Sequence, residues 1–239
     1  MNTDIKNTLS VIAFLDILGA KKIINQDADK SLNLVYKSYT EAIVQYKKRT
    51  NPHFSMPKIN IFSDNISVSF DIGENFENIM ECIFSVVMFC SVLTVQFWSN
   101  GLLIRGGITV GNCFSDDLMV WGKALVRAYE IESTIAIYPR IIIDPFADEL
   151  FEFLEDPKYK KLICRDFDGL YFLDIFYSDK YAETLPFLES LIHDNEKRIE
   201  ALDDTNLKER QKLKWLHNYY IEKYDHLKTM LSNEQINGI

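Results

Sequence analysis

The feature that most constrains the fold is an uninterrupted apolar run with one embedded carboxylate, at residues 10–17 (SVIAFLDI). Its β-branched and aromatic residues favour a strand, and the lack of polar alternation indicates burial on both faces. The run stops at Leu18-Gly19-Ala20, which we expect to open a helix. Asp16 is therefore predicted near the end of a buried strand, where an uncompensated charge is costly.

Strand patterns follow in four more places: residues 58–70, 102–111, 139–143 and 162–176. In the first, alternating runs flank Ser63-Asp64-Asn65, which predicts a hairpin with Asp64 at or beside its tip. The Gly106-Gly107 pair interrupts the second and predicts a bulge or a close backbone approach. The last contains Asp168-Gly169, a favourable turn for a second hairpin.

Helical patterns separate these strands. Helices are predicted at residues 29–48, 82–98 and 121–133, with two more after residue 184 that meet near Asp203-Asp204. The order β, α, β, β, α, β, α, β is typical of a split βαβ, ferredoxin-like core, an α/β (α+β) fold with a mainly antiparallel sheet. We predict this core domain at residues 1–180 and a C-terminal helical extension packing on it at residues 181–239.

Composition narrows the range of functions. A formal net charge of -9 argues against binding a nucleic acid polymer or an anionic membrane. The 4 cysteines form no CxxC pair, which favours free thiols in a reducing compartment. The N-terminus does not resemble a secretory signal, and residues 82–98 are too short and too rich in hydroxyls for a membrane span. We therefore expect a cytoplasmic protein.

Asp16 and Asp64 would lie at one edge of the sheet if their strands are neighbours. Carboxylates brought together require a proton or a cation between them, and oxygen ligands suit Mg²⁺ or Mn²⁺. The carbonyl of Ile17 would be a further oxygen ligand. Each residue also has an ordinary interpretation, Asp16 as a helix N-cap and Asp64 as a turn former. Five apolar residues precede Asp16, however, which is an expensive place for a cap.

The start of the helix after Asp16 offers a place for phosphate. Backbone N–H groups of Leu18, Gly19 and Ala20 at a helix N-terminus would be able to receive phosphate oxygens. A metal-bound triphosphate is therefore the ligand that this arrangement predicts.

Four segments in this order resemble the catalytic domain of class III nucleotidyl cyclases: FLDILG (14–19), IFSDNISVSF (61–70), IRGGITVG (104–111) and WGKALVRAYEIES (121–133). With the later CRDFDGLYFLDIF segment, they look most like the pyrimidine cyclases of bacterial Pycsar anti-phage systems. The resemblance covers roughly residues 8–180.

The resemblance implies that Asp16 and Asp64 hold two Mn²⁺ or Mg²⁺ ions, and that a head-to-tail homodimer shares its active sites. It also implies that a nucleoside triphosphate closes to its 3′,5′-cyclic monophosphate with loss of pyrophosphate, and that a separate effector senses the product. An Asn and an Arg that stabilise the transition state in purine cyclases are replaced here by Val126 and Glu130. Arg105 and Arg127 are the guanidinium groups that we assign to the triphosphate or transition state, although Arg127 also fits a solvated helix face.

Base recognition is the other point of departure. Asn60 and Lys123 occupy the two positions that read the base in purine cyclases, and they match neither known pair. Asn both donates and accepts hydrogen bonds and Lys only donates them, which suits the hydrogen-bonding edge of a pyrimidine. Each also has an ordinary interpretation, Asn60 as a strand residue and Lys123 as a surface charge. Arg165 lies where some cyclases bind phosphate, or is an exposed hairpin residue.

These observations predict a cyclase that prefers UTP to CTP. A purine cyclase and a catalytically silent module that dimerises or binds nucleotide are the alternatives.

Overall fold

The computed structural model describes residues 5–50, 55–73, 79–147, 150, 155–177 and 181–237; residues 235–237 are described by their backbone alone. The chain forms two compact units, Met1–Ile175 and Phe176–Ile239, where the sequence predicts a boundary after residue 180.

The first unit contains one mixed sheet flanked by helices. Its strands are β1 (Thr8–Leu18), β2 (Lys58–Phe62), β3 (Asn65–Asp71), β4 (Leu103–Ser115), β5 (Val120–Gly122), β6 (Ile141–Ile143), β7 (Ile163–Arg165) and β8 (Tyr171–Leu173). Its helices are α1 (Ala20–Gln26), α2 (Ala28–Arg49), α3 (Ile79–Ser99), α4 (Lys123–Glu130) and α5 (Pro157–Lys160), and a π-helical turn, Ile131–Ile135, follows α4.

The strand order is β2-β3-β1-β4-β6-β8-β7, with β5 paired to β4. Each of these pairs is antiparallel except that of β4 with β6. The predicted mixed α+β fold with a mainly antiparallel sheet is confirmed.

Helices cover β1 on both faces. Val11, Ala13 and Leu15 are fully buried on one face, and α3 packs against β1, β3 and β4. On the other face, Ile12 belongs to a buried cluster with Ala128 of α4. Among the described helices, α3 alone is long and apolar enough to cross a membrane, and 56% of its most apolar window is buried inside the protein. It therefore packs as the core helix that the sequence predicts.

The Gly106-Gly107 pair forms a close approach rather than a bulge. The register of β1 with β4 runs without interruption through Leu15↔Gly106 and Phe14↔Gly107. A Cβ at Gly107 would lie 2.5 Å from the side chain of Ile131, and one at Gly106 would lie 2.4 Å from the carbonyl oxygen of Phe14. The predicted bulge is therefore wrong, and the predicted close approach is correct.

Two element boundaries also differ from expectation. Leu18 does not open a helix, because it still pairs with Leu103 at the end of the β1–β4 ladder. Gly19 then turns the chain in the left-handed region, with φ 77°, and α1 begins at Ala20. Trp121 lies in β5 and not in the predicted helix, because it pairs with Phe114.

The second unit is a helical hairpin of α6 (Tyr181–Glu200) and α7 (Leu207–Asn237). Several of its aromatic residues form a buried cluster, in which the rings of Trp215 and Tyr219 stack with centroids 5.6 Å apart and those of Phe176 and Tyr219 lie 5.5 Å apart. The amide of Asn195 donates a hydrogen bond of 2.8 Å to the carbonyl of Leu213, which joins the two helices. None of the four cysteines forms a disulfide.

The close approach at Gly107 gives a stability prediction. Gly107→Ala places a Cβ against the branched Cβ of Ile131, so we expect a loss of about 1–3 kcal/mol in the free energy of unfolding. Gly111→Ala is the matched control, because its Cβ would lie at an ordinary 3.4 Å from that of Ala124. Urea unfolding of the two variants measures both effects, and equal stabilities would contradict the packing described here.

Candidate active site

Asp16 and the turn that carries Asp64 lie next to each other at one end of β1. Asp16 pairs with Asn65, the first residue of β3, and Asp64 occupies the turn between β2 and β3. The backbone carbonyl of Asp64 accepts a hydrogen bond of 3.0 Å from the amide of Ile17. The structure therefore makes the strands that carry these carboxylates neighbours, as the sequence predicts.

Arg105 lies opposite Asp16 on β4 and contacts three groups at once. Its Nε donates a hydrogen bond of 3.2 Å to Oδ2 of Asp16, and its Nη1 donates one of 3.1 Å to the carbonyl of Ala136. Its Nη2 lies 2.6 Å from Oε1 of Glu132. Because each guanidinium nitrogen is engaged, Arg105 bridges two carboxylates. Its predicted contact with the triphosphate stays a prediction.

Glu132 is a site residue that sequence reasoning missed. It lies on the π-helical turn and is only 4% exposed. Burial raises its pKa, the Arg105 charge opposes that rise, and the charges of Asp16 and Asp64 add to it. Glu132 is therefore close enough for electrostatic repulsion by both aspartates.

The donor set suits hard divalent cations, although no group of three or more acidic, His or Cys side chains in the described part of the chain forms a metal site. Asp16 and Asp64 provide carboxylate oxygens, which Mg²⁺ and Mn²⁺ accept. The amide of Ile17 points to the β2–β3 turn, and in a strand the carbonyl of the same residue points to the same side. Two carboxylates and this carbonyl therefore fit the predicted ions.

Arg127 binds a different carboxylate of the same chain. Its Nη2 and Nε donate hydrogen bonds of 2.7 and 2.9 Å to the two oxygens of Asp144. Asp144 also accepts a bond of 2.8 Å from Thr109 Oγ1 and one of 3.1 Å from the amide of Phe146. This bidentate pair joins α4 to the end of β6, and the predicted contact of Arg127 with substrate stays a prediction.

Asn60 and Lys123 lie on different elements, at the centre of β2 and at the first residue of α4. The Nδ2 of Asn60 donates a hydrogen bond of 3.1 Å to the carbonyl of Asp116. Its Oδ1 is buried and accepts no hydrogen bond from the described residues. The side-chain carbonyl oxygen of Asn60 is therefore an unused hydrogen-bond acceptor. Lys123 is exposed to solvent.

The predicted phosphate-binding residues are partly brought together. Leu18 ends β1 two residues after Asp16, Gly19 and Ala20 follow it, and a Cβ at Gly19 would meet nothing within 4 Å. Arg165 is on β7, where its Nε donates a hydrogen bond of 3.3 Å to the carbonyl of Gly169. Its predicted role in binding phosphate remains a prediction.

Comparison with known proteins was made by sequence and by fold. The sequence matches no protein-family model. It also matches no curated protein significantly.

Solved structures of similar fold include the adenylyl cyclase CyaB from P. aeruginosa, with 19% identity, coverage of 71% of this chain and 95% of that chain, and a TM-score of 0.48. The guanylyl cyclase domain of the RhoGC fusion protein from the aquatic fungus Blastocladiella emersonii has 16% sequence identity. The match covers 71% of this chain and 96% of that chain, with a TM-score of 0.49. The adenylate/guanylate cyclase/hydrolase from Silicibacter pomeroyi has 13% sequence identity. The match covers 71% of this chain and 96% of that chain, with a TM-score of 0.44. Similarity at this level does not establish a family or an activity.

The Arg127–Asp144 pair predicts a pH-dependent contribution to stability. Burial by itself would raise the pKa of Asp144, but hydrogen bonds from Arg127 and Thr109 outweigh it, so the pKa lies below its ordinary value. The stability from this pair is fully present above the unfolded pKa of about 3.9 and is lost as pH falls through the lower folded-state pKa. Asp144→Asn should cost about 2 kcal/mol of unfolding free energy at pH 7, and its difference from the wild type should shrink below about pH 4.

Urea unfolding at a series of pH values measures that difference. Asp117→Asn makes the same chemical change at an exposed position and should stay within about 0.5 kcal/mol of the wild type. A constant difference between Asp144→Asn and the wild type from pH 7 to pH 3 would contradict the assignment.

Proposed function

We propose that the protein is a nucleotidyl cyclase that converts a pyrimidine nucleoside triphosphate, UTP in preference to CTP, to its 3′,5′-cyclic monophosphate and pyrophosphate. The observation that carries the proposal is the meeting of Asp16 and the Asp64 turn at one end of a buried strand. Carboxylates at such a position suit two divalent cations, Mn²⁺ or Mg²⁺, and those ions suit a triphosphate. The ordered motifs that resemble class III cyclases support the same reaction.

The reaction needs little covalent help from the protein. The 3′-oxygen attacks the α-phosphorus, a new O–P bond forms, the bond to the pyrophosphate oxygen breaks, and the hydroxyl proton passes to solvent. When bound, the two ions would stabilise negative charge on the 3′-oxygen and on the phosphates. In this proposal Asp16, Asp64 and the Ile17 carbonyl hold the ions, and the backbone around Gly19 leaves room for phosphate oxygens.

Base selection is proposed to depend on Asn60 and Lys123. Because the Nδ2 of Asn60 is used by Asp116, its free Oδ1 would accept a hydrogen bond from uracil N3 or cytosine N4. Lys123 would donate to a carbonyl of the base. An acceptor at this position also suits an amino group of a purine, so a purine cyclase is the second candidate.

Dimerisation is proposed from exposed apolar side chains around α4. They are Phe62, Leu118, Trp121, Val126 and Tyr129, each more than half exposed. They lie on β2, the β4–β5 connection, β5 and α4. A hydrogen bond from Asn60 to Asp116 joins the first two of these segments. Several exposed apolar side chains on neighbouring segments are typical of an interaction site, and in this proposal a second copy of the chain would complete the shared active site. The signalling role, with a separate effector that senses the product in anti-phage defence, rests on the resemblance alone.

The cyclase proposal predicts specific products. Purified protein incubated with each of the four nucleoside triphosphates, with Mn²⁺ and with Mg²⁺, should form cyclic UMP most rapidly, as measured by mass spectrometry. Asp16→Asn should lower turnover by at least about 100-fold, because it removes a charged metal ligand.

Cyclic AMP or cyclic GMP as the main product would replace the pyrimidine assignment by the purine one. No cyclic product under either metal would support a catalytically silent module and contradict the proposal.

The dimer proposal predicts that Trp121→Asp produces a monomer and lowers activity, because a charge replaces an apolar side chain in the proposed contact. Trp121 is 69% exposed, and Leu32 on α2 is 65% exposed, so Leu32→Asp is a matched control that should remain dimeric. Sedimentation velocity measures the oligomeric state. A Trp121→Asp protein that stays dimeric would place the interface elsewhere.

A further inference from the structure

Glu132 is a buried carboxylate that the proposed reaction does not use. It is 4% exposed, and its Oε1 makes no aligned hydrogen bond to any described residue although it lies 2.6 Å from Arg105 Nη2. The π-helical turn directs it into the site, and such turns occur frequently at functional sites. A buried charge with an imperfect partner is expensive, which calls for an explanation.

We propose that Glu132 is a positioning residue for the metal site, which shares Arg105 with Asp16 and thereby keeps Asp16 available to divalent cations. The inference rests on the proposed function, because it assumes that Asp16 binds metal. Glu132 itself is not a ligand in this proposal.

The geometry shows two carboxylates that compete for one cation. Arg105 reaches Asp16 by a single hydrogen bond of 3.2 Å and lies nearer to Glu132, at 2.6 Å. The side chain of Glu132 is 5% exposed and that of Asp16 is 20% exposed, so attraction is less screened at Glu132. Glu132 therefore draws the positive charge of Arg105 away from Asp16.

Removal of the Glu132 charge should weaken metal binding for two reasons. Arg105 would then have Asp16 as its remaining acidic partner among the described residues, and a metal ion would have to compete with a stronger ion pair. The cluster of Asp16, Asp64, Glu132 and Arg105 would also carry one negative charge fewer. Removal of Arg105 as well restores the original net charge and eliminates the competing cation.

The test is Mn²⁺ binding to the full-length protein without nucleotide, measured by electron paramagnetic resonance. Glu132→Gln should raise the dissociation constant by about tenfold or more, in the range found when groups that orient metal ligands are changed. Glu132→Asp keeps the charge but retracts it from Arg105, and should give a smaller, several-fold rise. Arg105→Gln/Glu132→Gln should bind Mn²⁺ more tightly than Glu132→Gln alone. Glu81→Gln, an exposed change of the same type on α3, should bind like the wild type.

The outcomes separate this inference from the proposed function. A wild-type protein that binds no Mn²⁺, or an Asp16→Asn protein that binds it equally well, would overturn the metal site itself. If Asp16→Asn loses binding while Glu132→Gln binds like the wild type, only the role of Glu132 is wrong. A folded double variant that binds no better than Glu132→Gln would also overturn it, since a purely structural role predicts no recovery. If Glu132→Gln does not fold, wild-type affinity in Glu132→Asp decides against the proposal.

Discussion

The antiparallel pairing of β1 with β3 and β4 is the interaction on which both the fold and the candidate site depend. It sets Asp16 opposite Asn65 on one side and opposite Arg105 on the other. Because side chains alternate along a strand, a slip of one residue would turn Asp16 to the opposite face. The same slip would move the fully buried Val11 and Leu15 to the face that packs against α4, and would exchange the two sets of core side chains. Hydrophobic burial of β1 therefore fixes the position of a charged residue.

A second constraint links β4 to the other side of the site. Gly107 lets the π-helical turn approach the strand so closely that a Cβ would overlap Ile131. Ile131 directly precedes Glu132, and the amide of Ala136 closes the turn on the carbonyl of Ile131 at 2.8 Å. The carbonyl of Ala136 in turn accepts a hydrogen bond from Arg105. The missing side chain at Gly107 thus determines where two partners of Arg105 lie.

The part of the site that could be predicted from the sequence is the part encoded locally. Asp16 follows a run whose burial is visible in its composition, and Asp64 lies in a turn visible from its flanking alternation. Glu132 could not be found in this way, because residues 121–133 have the pattern of one amphipathic helix, on which a polar residue is ordinarily solvated. Its burial depends on the π-helical turn and on a glycine in a distant strand.

The same limit applies to the partner of Arg127. Asp144 follows a short apolar strand and has the appearance of an ordinary strand end, so nothing near it in sequence indicates a bidentate ion pair. The pair forms because the parallel placement of β6 beside β4 brings Asp144 to Thr109 and α4. An ion pair that depends on how distant strands are placed leaves no pattern in the nearby sequence.

Arg127 on α4 and Arg105 on β4 bind their carboxylates with different geometry, and the difference indicates different roles. Arg127 holds Asp144 through two short parallel hydrogen bonds, the arrangement that gives a carboxylate–guanidinium pair its greatest strength and specificity. Arg105 instead divides its nitrogens among Asp16, Glu132 and a backbone carbonyl. A cation shared among acceptors is held less tightly by each of them. Arg105 is thus able to compensate both carboxylates, which stabilises the fold, and in our proposal this sharing keeps Asp16 available to a metal ion.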